Sequence, residues 1–417
     1  MTATDNLPAD VADQTGATPE PTWRTWLTRL FGVSAPAPAP RLTRNAVLSL
    51  LGLLAVWRLS ILFFSYVHGR MLIATQWPAD VDVMWMWRYS VRWDAGWYLA
   101  IAADGYTYFP QYASRVAFFP AFPLLIRGVN AVLPGSDVMA ALLIVHVALI
   151  AAVIYIYKLI TIDFGETVAW RSVAFMLVYP GAFFFSAIYA ESLLLLGFAG
   201  ALYYARRGNW LAAGLFGAFA GATKLLGLVL IVPLVIELIA QGKLSWRRPL
   251  PALAVALTPL GTLAYFAYLQ AEFGRWDAAL QTQEHWFRQT FEPVFFLGIE
   301  RIFGDTSALV QYPANTSPLK TAFLLMDTTL LWIFVAAGIV LWLRYRASYG
   351  AFVVTACMIF GMSGVAQSIN RYVAVLFPAF IILGSLQSER LRNALALFLT
   401  FGLAMTTYLF IQGYWAG

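Results

Sequence analysis

The stretch NAVLSLLGLLAVWRLSILFFSYV, residues 45–67, decides the fold class of this chain. It contains a single charged side chain, Arg58, and a helix of this length crosses the roughly 30 Å apolar core of a bilayer. Similar apolar stretches recur along the 417 residues, of which only 12% are charged, whereas soluble domains carry about 25% charged residues. The sequence therefore predicts an all-α integral membrane protein.

The apolar stretches predict about eleven transmembrane helices. The spans lie at roughly 45–67, 138–160, 168–186, 189–205, 209–222, 225–240, 250–272, 321–343, 348–366, 371–387 and 391–412. The fifth and sixth are short, which is compatible with two broken or re-entrant helices. Residues 1–43 are polar and rich in proline and alanine, and we expect a disordered cytoplasmic segment there. Residues 44–417 are predicted to form one integral membrane domain.

Basic side chains between the predicted spans indicate the orientation of the chain. With eleven spans, five short basic connections fall on the same side as the N-terminus: 41–45, 203–209, 242–249, 343–348 and 388–393. Because basic residues that flank spans mark the cytoplasmic side, the N-terminus is predicted inside the cell membrane. Two long loops, 68–137 and 273–320, then lie outside, and their mixture of aromatic and charged residues predicts amphipathic helices along the outer membrane surface.

Asp94 in the first long loop has two interpretations. Asp94, Trp97 and Tyr98 share one face of a helix that would start near Asp94 and end at Gly105. In the first interpretation Asp94 is the N-cap, and its oxygens accept bonds from the first free amides of the helix. In the second it is a catalytic carboxylate at the outer boundary between water and lipid.

Basic side chains on the predicted outer side could bind a phosphate by charge-assisted hydrogen bonds, or could anchor lipid headgroups. They include Arg92, Lys224 and Arg371. Glu191 stands at the outer end of another span, where pairing with one of these cations and contact with a substrate are both open. Arg58 lies inside the first span, so we expect it to face protein or a water-filled cavity.

Several kinds of chemistry find no support in the sequence. The three histidines and the single cysteine are scattered without ligand spacing, which argues against a metal site built from them. The chain has no phosphate-binding glycine-rich loop and no motif of a serine or zinc hydrolase. We therefore expect neither a metal nor a cofactor, and no nucleic-acid partner.

Four motifs carry a resemblance to a known family. They are RWDAGWYLAIAADGY (92–106), AFFPAFPLL (117–125), YPGAFFFSAIYAES (179–192) and GLFGAFAGATKLLGLVL (214–230), which follow Arg58 in this order. Together they resemble the polytopic mannosyltransferases of the GPI mannosyltransferase 2 (PIG-V) family, over about residues 55–235. The preference for arginine over lysine and the many alanines are typical of a bacterial member.

The resemblance implies a glycosyltransferase of the GT-C type in the plasma membrane. Such an enzyme would transfer mannose, with inversion, from a polyprenyl-phosphate donor to a glycolipid or glycan hydroxyl on the extracytoplasmic face. The essential acidic residue of the family corresponds to Asp94. We assign the donor phosphate to Lys224, Arg371 and Arg92. Further substrate contacts are expected from Arg58, Trp93, Trp97, Tyr98, Asp104, Tyr106 and Glu191.

Two alternatives remain open at the level of the sequence. A GT-C enzyme could use another polyprenyl-phosphate sugar, since nothing in the sequence identifies mannose apart from the resemblance. A carrier of lipid-linked sugars would also suit the broken central helices and the intramembrane Arg58. The sequence shows no internal repeat of the kind that many carriers have, and its polar residues gather at one face instead of the midplane.

Overall fold

The chain is described here from a computed structural model, for residues 30–68, 87, 90–133, 135–245, 247–286, 294–295, 318–363 and 368–415. All regular elements in these ranges are helical. The α-helices are α1 (Arg44–His68), α2 (Asp94–Asp104), α3 (Ala121–Val132), α4 (Asp137–Phe164), α5 (Glu166–Leu177), α6 (Glu191–Arg206), α7 (Trp210–Thr223), α8 (Ile231–Ala240), α9 (Leu250–Val255), α10 (Leu260–Phe273), α11 (Ala278–Gln281), α12 (Pro318–Arg344), α13 (Ala347–Gly361), α14 (Ile369–Ala374), α15 (Phe380–Gly384) and α16 (Glu389–Ile411). Short 3₁₀ segments lie at Arg115–Ala117, Pro180–Ser186, Leu225–Leu230, Thr282–Trp286 and Phe377–Ala379.

The predicted all-α multi-pass membrane fold is confirmed, whereas the count of eleven spans stays a prediction. Within the described ranges, four helices are long and apolar enough to cross a membrane: α1, α4, α12 and α16. A fifth candidate is the pair formed by α5 and the segment Pro180–Ser186, which is bent by 86°. Four shorter apolar stretches accompany them: α3, α7, Leu225–Ala240 and α13.

Three predicted spans are broken helices, and prolines stand at the breaks. The span 168–186 turns before Pro180, the span 250–272 is divided into α9 and α10 before Leu260, and the span 371–387 is interrupted around Pro378. Proline lacks the backbone N–H that a helix needs and disfavours helical geometry in the residue before it. Hydropathy detects the apolar stretch, but it does not detect the break.

The predicted break between the fifth and sixth spans is present. Helix α7 ends at Thr223, Lys224 has extended backbone angles, and a 3₁₀ segment follows before α8. Close packing surrounds this break, because a Cβ atom on Gly227 would overlap the backbone of Ala220 and Gly221. The extended residue turns the Lys224 side chain away from the path of a continuous helix.

The first long loop contains two short helices, as the sequence predicts. Helix α2 ends at Asp104, and Gly105 follows with a φ of 89° that favours glycine. Arg127 of α3 donates hydrogen bonds to the carbonyl oxygens of Ala102 and Ile101 at the end of α2, at 3.0 and 3.2 Å. A cation at the carboxyl end of a helix complements the helix dipole, so α3 holds α2 in place.

Charged side chains gather at both ends of α6, which has 16 residues and is therefore about 24 Å long. One end carries Glu191, described below. At the other end, Arg206 donates to Asp163, while Arg346 donates to Glu237 at 2.6 and 3.1 Å. We call Asp163, Arg206, Glu237 and Arg346 the Glu237 cluster.

The Glu237 cluster also binds part of the predicted N-terminal segment. The amide of Ser34 donates to the Ala240 carbonyl at 2.9 Å, and the Ser34 hydroxyl donates to Glu237 at 3.2 Å. Residues 30–43 thus have defined contacts, whereas residues 1–29 lie outside the described ranges. The three predicted basic connections at 203–209, 242–249 and 343–348 adjoin this same end of the bundle.

Candidate active site

Asp94 is the first residue of α2, and its carboxylate does not cap that helix. The residue before α2 is Trp93, and no side chain makes a capping hydrogen bond there. The N-cap interpretation of Asp94 is therefore wrong. Trp93 has a φ of 55°, an uncommon backbone conformation for a residue other than glycine. Such conformations occur most often where function constrains the backbone.

The Asp94 carboxylate instead belongs to a network of four charged side chains. Arg371 Nη1 donates to Asp94 Oδ2 at 2.5 Å, and Arg371 Nε lies 3.3 Å from Glu191 Oε1. The same Glu191 oxygen is 2.5 Å from Lys224 Nζ. Two anions and two cations thus alternate from Asp94 through Arg371 and Glu191 to Lys224. We call these four residues the Asp94 cluster.

Four separate parts of the chain build the Asp94 cluster. Asp94 begins α2, Glu191 begins α6, Lys224 stands in the break after α7, and Arg371 lies in α14. Three of the four residues stand at helix ends. The fourth, Arg371, lies in α14, which has only six residues, so it is also near a helix end. Charged groups at the ends of apolar helices reach water or each other more easily than groups at mid-helix.

Aromatic rings surround the Arg371 guanidinium. Its central carbon lies between 4.9 and 5.5 Å from the ring centroids of Phe184, Tyr189, Tyr372 and Trp415. Arg371 Nη2 also donates to the Tyr372 hydroxyl at 2.9 Å. Rings stacked on a guanidinium attract its charge and restrict its orientation. Arg371 is therefore a rigid buried cation rather than a mobile surface one.

The two carboxylates differ in access to solvent. The Glu191 side chain is 1% exposed, whereas that of Asp94 is 24% exposed. Oδ2 of Asp94 is bonded to Arg371, and Oδ1 accepts no hydrogen bond from the part of the chain that the structure describes. Asp94 therefore offers one free carboxylate oxygen to a molecule that enters from outside.

Arg92 provides a further positive charge close to the cluster. A Cβ atom on Gly413 would lie 2.9 Å from Arg92 Nη1, and Trp415, two residues later, packs on Arg371. Within the described ranges the Arg92 guanidinium has no carboxylate partner, and its partial burial lowers the pKa of Arg92 from the usual value. The backbone carbonyl of Arg92 is held by the Tyr189 hydroxyl at 3.0 Å. Arg92 is thus a cation near the cluster that no carboxylate in the described ranges neutralises.

Tyr98 lies behind the carboxylates and is 3% exposed. Burial, and next the negative charges of Glu191 and Asp94, raise the pKa of Tyr98 well above its usual value. Its ring packs against Phe118 and Phe122 at 5.1 Å, and Trp97 stacks on Phe118 at 5.7 Å. Tyr98 thus lines the site as an uncharged side chain. Trp93 packs edge-on against Trp415, with their ring centroids 5.6 Å apart.

Three residues expected to contact the substrate have other partners. Asp104 is exposed and pairs with Arg115 at 3.0 Å, at the far end of α2. The Tyr106 hydroxyl donates to the Phe118 carbonyl at 2.9 Å, and its ring packs against Tyr265. The guanidinium of Arg58 lies 4.9 Å from the ring of Trp87. The prediction that these three share one site with Asp94 finds no contact in the described ranges to support it.

Sequence reasoning missed Tyr372, Trp415, Phe184 and Tyr189. Each supplies a ring to Arg371, but aromatic residues are so frequent in this chain that their presence alone does not mark a site. Trp415 follows the last helix, α16, and its indole N–H donates to the Ser368 hydroxyl at 3.1 Å. The signal that could have found Tyr372 is its position next to Arg371.

Comparison with protein families agrees with the motifs. Residues 41–242, slightly less than half of the chain, match the family model described as Mannosyltransferase (PIG-V). The resemblance inferred from the sequence is thus confirmed over this region, which contains Asp94, Glu191 and Lys224. The protein is a multi-pass membrane glycosyltransferase. A comparison with curated proteins finds no significant match to the sequence.

Solved structures of two kinds resemble the chain at low sequence identity. ArnT from Cupriavidus metallidurans bound to undecaprenyl phosphate is 15% identical with a TM-score of 0.46, and the match covers 90% of this chain and 77% of that one. The Archaeoglobus fulgidus oligosaccharyltransferase tethered with an acceptor peptide is 12% identical with a TM-score of 0.39, over 87% of this chain and 55% of that one.

Proposed function

We propose that the protein is an inverting mannosyltransferase that takes mannose from a polyprenyl-phosphate donor. The acceptor is a hydroxyl group of a glycolipid or glycan on the extracytoplasmic side of the membrane. The family match supports transfer of mannose, and the basic connections at the end of the bundle opposite Asp94 support this orientation. The single observation that carries the proposal is the Asp94 carboxylate, with one oxygen fixed by Arg371 and the other without a hydrogen bond from the described part of the chain.

In the proposed reaction Asp94 acts as the general base. The acceptor oxygen attacks the anomeric carbon of mannose while its proton passes to Oδ1 of Asp94. The bond between the anomeric carbon and the phosphate oxygen breaks, and its electron pair leaves with the polyprenyl phosphate. A positioned base of this kind contributes about 10²–10⁴-fold to the rate. Arg371 fixes the direction of the carboxylate, and attack from the side opposite the phosphate inverts the anomeric centre.

Glu191 is a poorer candidate for the base. Its side chain is 1% exposed, and its Oε1 atom is shared by Lys224 and Arg371. Its second oxygen is buried without a hydrogen-bond partner in the described ranges. We assign to Glu191 the task of holding the two cations side by side.

The departing phosphate is assigned to the cations around the cluster. Lys224 and Arg371 already share two carboxylates, so their four charges cancel. Arg92 adds one positive charge that no described carboxylate neutralises, and a guanidinium binds phosphate oxygens through paired N–H groups. Arg92 therefore makes the first contact with phosphate in this proposal, and Lys224 and Arg371 supply the surrounding field.

The proposed reaction requires no metal ion, because the positive charge of Arg92 offsets the charge that forms on the leaving phosphate. Phosphate is already a stable leaving group and needs no strong acid behind it. Transfer that is abolished by EDTA and restored by Mn²⁺ would contradict this part of the proposal.

Transfer of label from a lipid-linked donor tests the function. Membranes from cells that express the wild-type protein or Asp94→Asn receive polyprenyl-phosphate [³H]mannose, so the natural acceptors are present. We expect labelled glycolipid or glycan only with the wild type, and no direct labelling from a nucleotide sugar when polyprenyl-phosphate mannose synthesis is blocked. Equal labelling in both membranes, or export of the intact donor without transfer, would overturn the proposal and favour a carrier.

A further inference from the structure

A buried carboxylate outside the Asp94 cluster lies against the helix that carries Arg371. Asp327 of α12 is 2% exposed, and its Oδ1 accepts a hydrogen bond from the Asn370 amide at 3.1 Å. The amides of Ile369 and Ser368 donate toward the same carboxylate. Three successive N–H groups at the start of α14 thus converge on one side chain from another helix.

The start of α14 needs such a partner. The first N–H groups of a helix have no acceptor within the helix, and leaving them buried without one is unfavourable. Ser368 at this position has a φ of 71° and makes no side-chain capping bond. Its hydroxyl is instead the acceptor for the Trp415 indole. Asp327 replaces the missing local cap, because its carboxyl oxygen accepts the backbone N–H at the start of α14.

Two further contacts restrict α14. A Cβ atom on Gly181 would overlap the carbonyl oxygen of Asn370, so the segment Pro180–Ser186 touches the α14 backbone directly. The Thr406 hydroxyl of α16 donates to the Pro180 carbonyl at 2.7 Å, which fixes that segment. Neither contact supplies an acceptor for the three amides. Among the described side chains, Asp327 is therefore the one that accepts hydrogen bonds from the backbone at the start of α14.

We infer that Asp327 is a positioning residue for the transfer reaction and that it acts through Arg371. Arg371 is the third residue of α14, so a rotation of the first turn of this helix would move the guanidinium directly. A displaced guanidinium would release Oδ2 of Asp94 and let the general base turn. This inference rests on the proposed role of Asp94.

Substitution of Asp327 should lower turnover without weakening donor binding. Asp327→Asn keeps the size of the side chain and one acceptor oxygen but replaces the other oxygen by an NH₂ donor, and Asp327→Ala removes both oxygens. We expect kcat to fall by about tenfold for the first and a hundredfold for the second, because small misplacements of catalytic groups cost this much. The KM for polyprenyl-phosphate mannose should stay within a factor of about two, since Arg92 is untouched.

Thr328→Val is the matched control. Thr328 is the next residue of α12 and is also buried, but its hydroxyl donates to Leu324 within its own helix. Its loss should change neither kcat nor KM. Thermal unfolding in detergent measures whether each variant is folded, and Asp327→Glu provides a variant that keeps the carboxyl group if Asp327→Ala does not fold.

A double-mutant cycle separates positioning from general stability. If Asp327 acts through Arg371, adding Asp327→Asn to Arg371→Lys should lower kcat little further. The inference would be overturned if the reduction in kcat of a folded double variant equalled the product of the two single reductions. It would also be overturned if folded Asp327→Asn kept the wild-type kcat. A fully active Asp94→Asn would instead refute the proposed function itself, so the two failures are distinguishable.

Discussion

Arg371 Nη1 lies 2.5 Å from Asp94 Oδ2, although the two residues are separated by 277 positions in the sequence. The contact joins the first extracytoplasmic loop of the predicted topology to the last third of the chain. It fixes one carboxylate oxygen, and the other accepts no hydrogen bond from the residues that the structure describes. This pairing and the charges around it determine how substitutions should change activity and stability.

Replacing Arg371 by lysine should reduce turnover by about tenfold or more, because a single ammonium cannot reproduce the fork that contacts both Asp94 and Glu191. Steady-state kinetics with polyprenyl-phosphate mannose measure the effect. Arg346→Lys is the matched control, since Arg346 holds Glu237 at the opposite end of the bundle. An equal loss of kcat in both variants would mean that Arg371 has only a structural role.

Removing the charge of Glu191 should destabilise the protein. Glu191→Gln leaves two neighbouring cations facing each other in a buried place, and breaking a buried ion pair costs on the order of 3 kcal/mol. Unfolding curves in detergent micelles measure the loss. Asp277→Asn, which breaks a pair with the exposed Arg275, should cost much less, because water and salt screen exposed charges. Similar losses in the two variants would refute the bridging role of Glu191.

Arg92→Ala should weaken binding of the donor more than it lowers turnover. A charge-assisted bond from the unpaired guanidinium to phosphate contributes about 1.5–3 kcal/mol, which corresponds to roughly tenfold or more in KM or Kd. The affinity is measured by titrating the protein with polyprenyl phosphate and recording the rise in its unfolding temperature. Arg115→Ala serves as the control, since Arg115 already pairs with Asp104. Unchanged affinity in Arg92→Ala would remove Arg92 from the phosphate site.

The proposed orientation can be tested with introduced cysteines, because the single native one, Cys357, is buried. Tyr112 in the first long loop is 71% exposed, and Glu389 begins α16 in one of the basic connections. A membrane-impermeant maleimide should label Tyr112→Cys in intact cells and Glu389→Cys only after permeabilisation. The reverse pattern would place Asp94 on the cytoplasmic side.

The sequence was sufficient for the membrane fold and for the presence of a helix from Asp94 to Asp104, because apolar length and a terminal glycine are local signals. It was sufficient neither for the breaks at Pro180 and Pro378 nor for the partner of Asp94. Which helix faces which depends on packing of the whole bundle, and no local pattern encodes the contact between Asp94 and Arg371. The N-cap interpretation failed because Asp94 lies one residue inside the helix.

The same limit explains the residues that were misassigned or missed. Asp104 resembles Asp94 in sequence context, but ten positions along a helix turn it to another face, where it meets Arg115. Asp327 had a usable signal, since a lone carboxylate inside an apolar span is costly and therefore informative. Its partners, the amides at the start of α14, could not be known before the fold.

The turnover number of Asp94→Asn, compared with Asp104→Asn, tests the central claim most directly. Both changes remove one carboxylate charge from α2, but only Asp94 contacts Arg371. With polyprenyl-phosphate mannose as donor, we expect Asp94→Asn to lower kcat by at least about a hundredfold while donor affinity stays nearly unchanged. Asp104→Asn should retain wild-type turnover. Near-normal turnover in a folded Asp94→Asn protein would contradict the account.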